Sequence, residues 1–107
     1  MAKTSLNLDE NIEAALAYVL SWISGLAIYL LEKENKFVRF HAMQSFITFL
    51  GLSIIGVILS FIPVMGEILS RLLGILGIIL WIVCIIKAYQ GERFKLPSVG
   101  DIAEKYV

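Results

Sequence analysis

One cysteine, one histidine and two prolines are all that 107 residues contain of those types, and nine basic residues balance nine acidic ones. Each scarcity excludes something. A lone Cys84 cannot close an internal disulfide, so cysteine usage does not identify a redox compartment. Zero formal charge removes the global basic bias that nucleic-acid binding requires, so no nucleic-acid partner is expected. A single histidine and a single cysteine leave no nucleophile–base pair and no metal cluster to assemble at one depth. The expectation is therefore no catalytic residues, no metal and no cofactor. Cys84 reads as a small buried hydrophobe rather than a reactive thiol.

What is abundant is apolar sequence. Hydrophobic residues make up 59% of the chain, the mean hydropathy is +0.85, and soluble domains lie at roughly 45–50% apolar. The charges cluster in short segments, which is a membrane pattern. The expected fold is all-α, an integral membrane bundle of three transmembrane helices with a short interfacial segment at the C-terminus. Residues 1–10 form an N-terminal tail, with Asn7 or Asp9 placed to cap the first helix. Residues 11–91 carry spans at about 12–31, 38–62 and 67–90, and residues 92–107 form an amphipathic tail.

The first run has an acidic flank, Asp9, Glu10 and Glu13, with no small-residue cleavage site after it, so it reads as a retained span and not a signal peptide. Pro63 ends the second span, because proline lacks an amide and clashes with the preceding turn. Gly91 is placed to cap the third. Two stripes of small residues invite close helix approach: Ala17, Ser21 and Gly25 in the first span, and Gly66, Ser70, Gly74 and Gly77 in the third. Glu67 and Arg71 are four apart in the favourable order, an interfacial ion pair. In the tail, Leu96, Val99, Ile102 or Ala103, and Tyr106 recur at helical spacing, and Ser98-x-x-Asp101 fits a capping box loosely.

With three crossings, the N-terminal tail and the second turn share one face. That face holds Lys3 and Arg71, against Lys33, Lys36, Arg39, Lys87, Arg93, Lys95 and Lys105 on the other. Basic residues stay cytoplasmic. The expected placement is a multi-pass protein of the cell membrane, N-terminus outside and C-terminus cytoplasmic.

The start of the second span carries the main polar constellation. His41, Gln44, Ser45 and Thr48 fall at i, i+3, i+4 and i+7, on one helical face, with Arg39 just before them. Lipid cannot satisfy such groups, so the face should turn toward protein or a water-filled cavity. Either it bonds neighbouring helices, or it forms a polar vestibule with His41 as its titratable element.

On these residues a resemblance can be stated. The string Phe37-Val38-Arg39-Phe40-His41-Ala42-Met43-Gln44-Ser45 is similar to the second-helix motif of a known family. Leu96 and Pro97, then Gly100, Asp101 and Glu104, resemble its closing motif. The family comprises small archaeal and bacterial membrane proteins related to the Tic-twenty-type import component of the chloroplast inner envelope. The resemblance implies a membrane fold, a partner-binding role and a link to protein translocation. Two functions follow as expectations. One is a non-enzymatic helical protein that lives in the bilayer and self-associates or binds another membrane protein. The alternative is an oligomeric channel or transporter component using the polar face of the second helix.

Overall fold

A computed structural model describes residues 4–6 and 8–107, and the Asn7 cap and Lys3 fall outside that range. The chain is helical: α1 (Glu10–Val19), α2 (Trp22–Leu31), α3 (Lys36–Leu59), α4 (Met65–Tyr89) and the short α5 (Val99–Glu104). Two of these, α3 and α4, are long and apolar enough to cross a membrane. At 1.5 Å per residue each is about 36 Å long, against about 30 Å of hydrocarbon.

The expected first span is not one helix. It breaks at Leu20–Ser21, where Ser21 takes φ 55° in the left-handed region. No glycine or proline marks the break. Side chains hold it instead. Leu20 N–H donates to Ser24 Oγ at 2.9 Å. Ser45 Oγ of α3 donates to Ser21 O at 2.9 Å, and Trp81 Nε1 of α4 donates to Tyr18 O at 2.6 Å. Backbone groups freed from a helix at membrane depth need such partners, because lipid offers none.

The consequence is a hairpin. The ten-residue α1 and α2 are each about 15 Å long, half a hydrocarbon core, and they fold back on each other. Ser5 N–H, before α1, donates to the Glu32 carboxylate, after α2, at 2.8 Å, and Lys33 N–H donates to Ser5 Oγ at 3.0 Å. At the same end Asn11 donates to Tyr89 O and Tyr29 donates to Tyr106 O. The N-terminal segment, the α2–α3 turn and the C-terminal tail therefore share one end of the molecule. The N-terminal tail does not sit opposite the C-terminus, as three crossings require. Ala17 and Gly25 also lie on different helices, so the first small-residue stripe is not continuous.

Local chemistry sets the other boundaries. Asn35 N-caps α3, its side chain accepting from Val38 N–H at 3.0 Å. Arg39 caps α2 in reverse, donating to Tyr29 O at 3.0 Å and Glu32 O at 2.6 Å with its guanidinium 4.0 Å above the Tyr29 ring. Helix α3 stops at Leu59, ahead of Pro63, in a turn where the Gly66 backbone packs on the Leu59 carbonyl so tightly that a Cβ would collide with it. Glu67 and Arg71 pair at 3.0 Å on the exposed start of α4. Gly91, at φ 80°, closes α4 with two reversed bonds, its own N–H to Ala88 O and Glu92 N–H to Lys87 O.

The core lies at the end holding the termini, where Ala14, Tyr18, Val38, Phe49, Cys84, Ala88 and Leu96 are buried together. Beyond it, the far halves of α3 and α4 form a two-helix hairpin with Ile54, Val57, Ile68, Leu72 and Ile75 exposed. In the packed half, Gly25 touches α3: a Cβ there would stand 2.8 Å from Ala42 O and 2.9 Å from Phe46 N. Gly51 has open space around it. Gly25→Ala should therefore cost about 1–3 kcal/mol through forced backbone displacement, whereas Gly51→Ala should be neutral or stabilising. Thermal unfolding of the two variants in detergent checks this, and equal behaviour would contradict the close α2–α3 approach.

Candidate functional site

The polar face of α3 is real, and it is closed. His41, Gln44 and Ser45 are fully buried, Thr48 nearly so. Three of the four are engaged by other elements of the chain. Tyr18 Oη of α1 lies 2.7 Å from His41 Nδ1, and His41 Nε2 lies 2.8 Å from Glu92 O. Gln44 Nε2 donates to Tyr18 Oη at 3.0 Å and to Phe94 O at 2.8 Å, while Gln44 Oε1 accepts from Leu96 N–H at 3.0 Å. Ser45 holds the hairpin break. Thr48 Oγ1 is buried without a partner among the described residues.

The chain of bonds assigns the protons. A backbone carbonyl only accepts, so His41 Nε2 carries hydrogen and donates to Glu92 O. Tyr18 Oη accepts from Gln44 and also lies against Nδ1, so both nitrogens of His41 are satisfied. Phe37, Tyr18 and Phe40 surround it edge-on, with ring centroids at 4.7, 5.5 and 5.1 Å.

The tail docks on this face as an extended segment before α5. Leu96 is buried in the core. Gly100 is required by contact, since a Cβ would stand 2.5 Å from Lys95 Cβ. Glu104 gathers the bases of the same motif: Arg93 reaches it at 2.8 Å, Lys95 bonds it more closely, and Lys95 also approaches Asp101 at 4.0 Å. The charges of Lys95 and Arg93 hold the Glu104 carboxyl below its ordinary range. The capping box does not form: Ser98 makes no side-chain cap bond. Pro97 lines an apolar groove of about 580 Å³ with Ile47, Leu52, Leu76 and Leu80.

The second small-residue stripe faces α3 but is not filled by it. Ser70, Gly74 and Gly77 line a groove of about 240 Å³ with Ser53 and Gly56. A Cβ on Gly77 would meet Leu52 at 3.6 Å, while one on Gly74 or Gly56 would meet nothing within 4 Å. The carboxyls of Glu13 and Glu32, both fully buried, were not among the expected site residues. Glu13 lies inside the run assigned to the first span, and Glu32 inside the charged turn after it. Among the described residues no three His, Cys, Asp or Glu side chains converge as a metal site would need.

Gln44→Leu should orphan Leu96 N–H and Phe94 O at once and remove one bond from the Tyr18 hydroxyl. A buried unpaired group costs about 1–3 kcal/mol, so the tail should detach before the bundle melts. Limited trypsin digestion at Arg93 and Lys95 should accelerate at least several-fold. Unchanged digestion would show that the tail is held elsewhere.

Comparison with known proteins places this geometry. Two UPF0132 membrane proteins of Methanocaldococcus jannaschii are similar to the chain. One is 59% identical, over 99% of this chain and 96% of its own length. The other is 60% identical, over 95% and 73%. A UPF0132 membrane protein of Archaeoglobus fulgidus is 51% identical over 94% of this chain and 97% of its own. No solved structure matches. None of these matches supports the relationship to the Tic-twenty-type import component. The profile of the magnetosome magnetite crystal formation protein family, MamF/MmsF, spans residues 6–103, and the chain is a small membrane protein belonging to that family.

Proposed function

We propose that the protein is a non-enzymatic membrane module that works by self-association through its α3–α4 hairpin, with both termini in the cytoplasm. The observation that carries this is the open seam. Ser53, Gly56, Ser70, Gly74 and Gly77 line an open groove of about 240 Å³ between α3 and α4, with Leu52, Leu73 and Ser21 at its margins. It runs into a second groove of about 350 Å³ beneath the α1–α2 tip, lined by Val19, Leu20, Ser21, Gly74, Gly77 and Trp81. Leu20 at that tip is 64% exposed. Irregular backbone at membrane depth is stable when protein covers it, and small residues drive helix association where the hydrophobic effect does not.

Charge supports the orientation. Lys33, Lys36, Arg39, Lys87, Arg93, Lys95 and Lys105 sit at the end holding both termini, and Arg71 sits near the opposite turn. With α1–α2 folded back, the positive-inside bias puts N- and C-terminus together in the cytoplasm of a cell membrane. The channel alternative finds less support, because the groups meant to line a path are spent on Tyr18, the hairpin break and the tail. The family description names magnetite crystal formation; a packing module that assembles within a membrane suits that setting without binding mineral itself.

Gly74→Leu separates assembly from folding, since a Cβ at this position meets nothing within 4 Å in the single chain and opens onto the groove. In lipid vesicles the parent should crosslink as a dimer or larger species. Gly74→Leu should lose most of that product with little change in Tm. A parent that stays monomeric as the protein-to-lipid ratio rises, or a variant that crosslinks as well as the parent, would end the proposal. For topology, single cysteines at Leu8 and Val107 in a Cys84→Ala background should both react with an impermeant thiol reagent only from the cytoplasmic side.

A further inference from the structure

Away from α3, the molecule buries a second polar group that self-association does not use. Glu13 of α1 and Glu32 at the end of α2 are both fully buried and meet in hydrogen-bonding contact. Both lie outside the two spans. Their surroundings are unequal. Ser5 N–H donates to both Glu32 oxygens, at 2.8 and 2.9 Å, and Glu34 and Asn35 N–H each donate to Oε2 at 3.0 Å. Three amides converging on one carboxyl demand its ionised form. Among the described residues no N–H donor serves either Glu13 oxygen, and the Thr4 hydroxyl is the O–H group beside it. The Thr4 hydroxyl beside Glu13 gives its proton to Leu8 O at 2.8 Å. Two bare carboxylates in contact out of water repel strongly, so Glu13 keeps a proton and donates it to Glu32.

The charged groups around the pair leave that arrangement intact. Asp9 and Glu10 begin α1, and Lys33 and Glu34 flank Glu32. Arg39 of α3 is turned to the Glu32 main-chain oxygen at 2.6 Å. Lys87 of α4 is paired with Glu92 at 3.0 Å.

We propose that Glu13 and Glu32 form a proton-operated latch. One shared proton holds the N-terminal segment, α1 and the end of α2 together, and its loss frees the Thr4–Ser5 segment. Burial, then the Glu32 carboxylate, pushes Glu13 up to about 8. Burial also pushes Glu32 up, but the bonds from Glu13 and from the Ser5, Asn35 and Glu34 amides outweigh it and hold Glu32 well below its ordinary range. The signs are opposite. Glu13's contribution to stability is complete below its ordinary value of 4.5 and is lost as pH rises through about 8. Glu32's contribution is present above 4.5 and is lost only in strong acid. Between its ordinary value of 4.5 and about 8, Glu13 makes stability fall as pH rises.

The test is an infrared titration of the full chain in lipid nanodiscs. The C=O stretch of one protonated carboxyl should be present at about pH 6, vanish with a midpoint near 8, and be missing from Glu13→Gln throughout. A nitroxide on Leu8→Cys, in a Cys84→Ala background, should gain mobility over the same range in the parent and stay immobile in Glu13→Gln. Absence of a protonated carboxyl at pH 6, or equal pH response of the label with and without Glu13→Gln, overturns the latch. Should Glu13→Gln fail to fold, the parent's infrared titration and label mobility decide together: both must change near pH 8.

Discussion

A backbone that leaves the helix inside a membrane must find partners for its N–H and C=O groups, and water is not there to serve. This chain leaves the helix around Leu20–Ser21, in the middle of its first apolar run, and again where Glu92–Leu96 lies extended over the packed end of the bundle. The polar residues of α3 are the answer to both. Ser45 takes a carbonyl of the hairpin break, with Trp81 and Ser24 taking others. His41 and Gln44 take Glu92 O, Phe94 O and Leu96 N–H from the tail. Tyr18 joins the two sets, since its hydroxyl touches both His41 and Gln44. A residue-by-residue account of α3's first three turns is thus an account of what the irregular segments lack.

The same constraint divides the molecule. Where α1, α2 and the tail surround α3 and α4, the interior is dense, and glycine serves contact: Gly25 admits the α3 backbone and Gly100 admits Lys95. Farther along, α3 and α4 are less covered, and a Cβ at Gly51, Gly56 or Gly74 would meet nothing within 4 Å. One residue type does two jobs. In the packed half it brings parts of one chain together, and in the other half it leaves a helix surface low in side chains.

The helical periodicity of α3 made its polar face legible from spacing alone, including its turn toward protein, and the caps at Asn35 and Gly91 carry standard chemistry. The broken first span was not legible. Its apolar run had the length of a crossing, and a break at serine, without glycine or proline nearby, has no local signature. The partners that hold it, Ser45 and Trp81, lie 24 and 60 residues away from Ser21 in sequence, so the kink is a tertiary effect. With the break, the N-terminal segment comes to lie at the same end of the molecule as the C-terminal tail. Glu13 and Glu32, 19 residues apart near the two ends of that run, become neighbours only once the hairpin closes.

The two strings that stood out, Arg39 to Ser45 and Leu96 to Glu104, are halves of one joint. Gln44 has an amide with two donors and an acceptor. On this face it meets a phenol, a carbonyl and an N–H, and uses all three. Leu96 supplies the N–H and, from the same residue, the side chain that seals the core beside Val38 and Ala88. Gly100 then lets α5 turn close over Lys95, which brings Lys95 and Arg93 onto Glu104 and neutralises the tail's charge among its own groups. The exposed ion pairs add little free energy individually. Their effect is to gather Arg93, Lys95 and Glu104 together beside the segment that the buried amide of Gln44 holds in place.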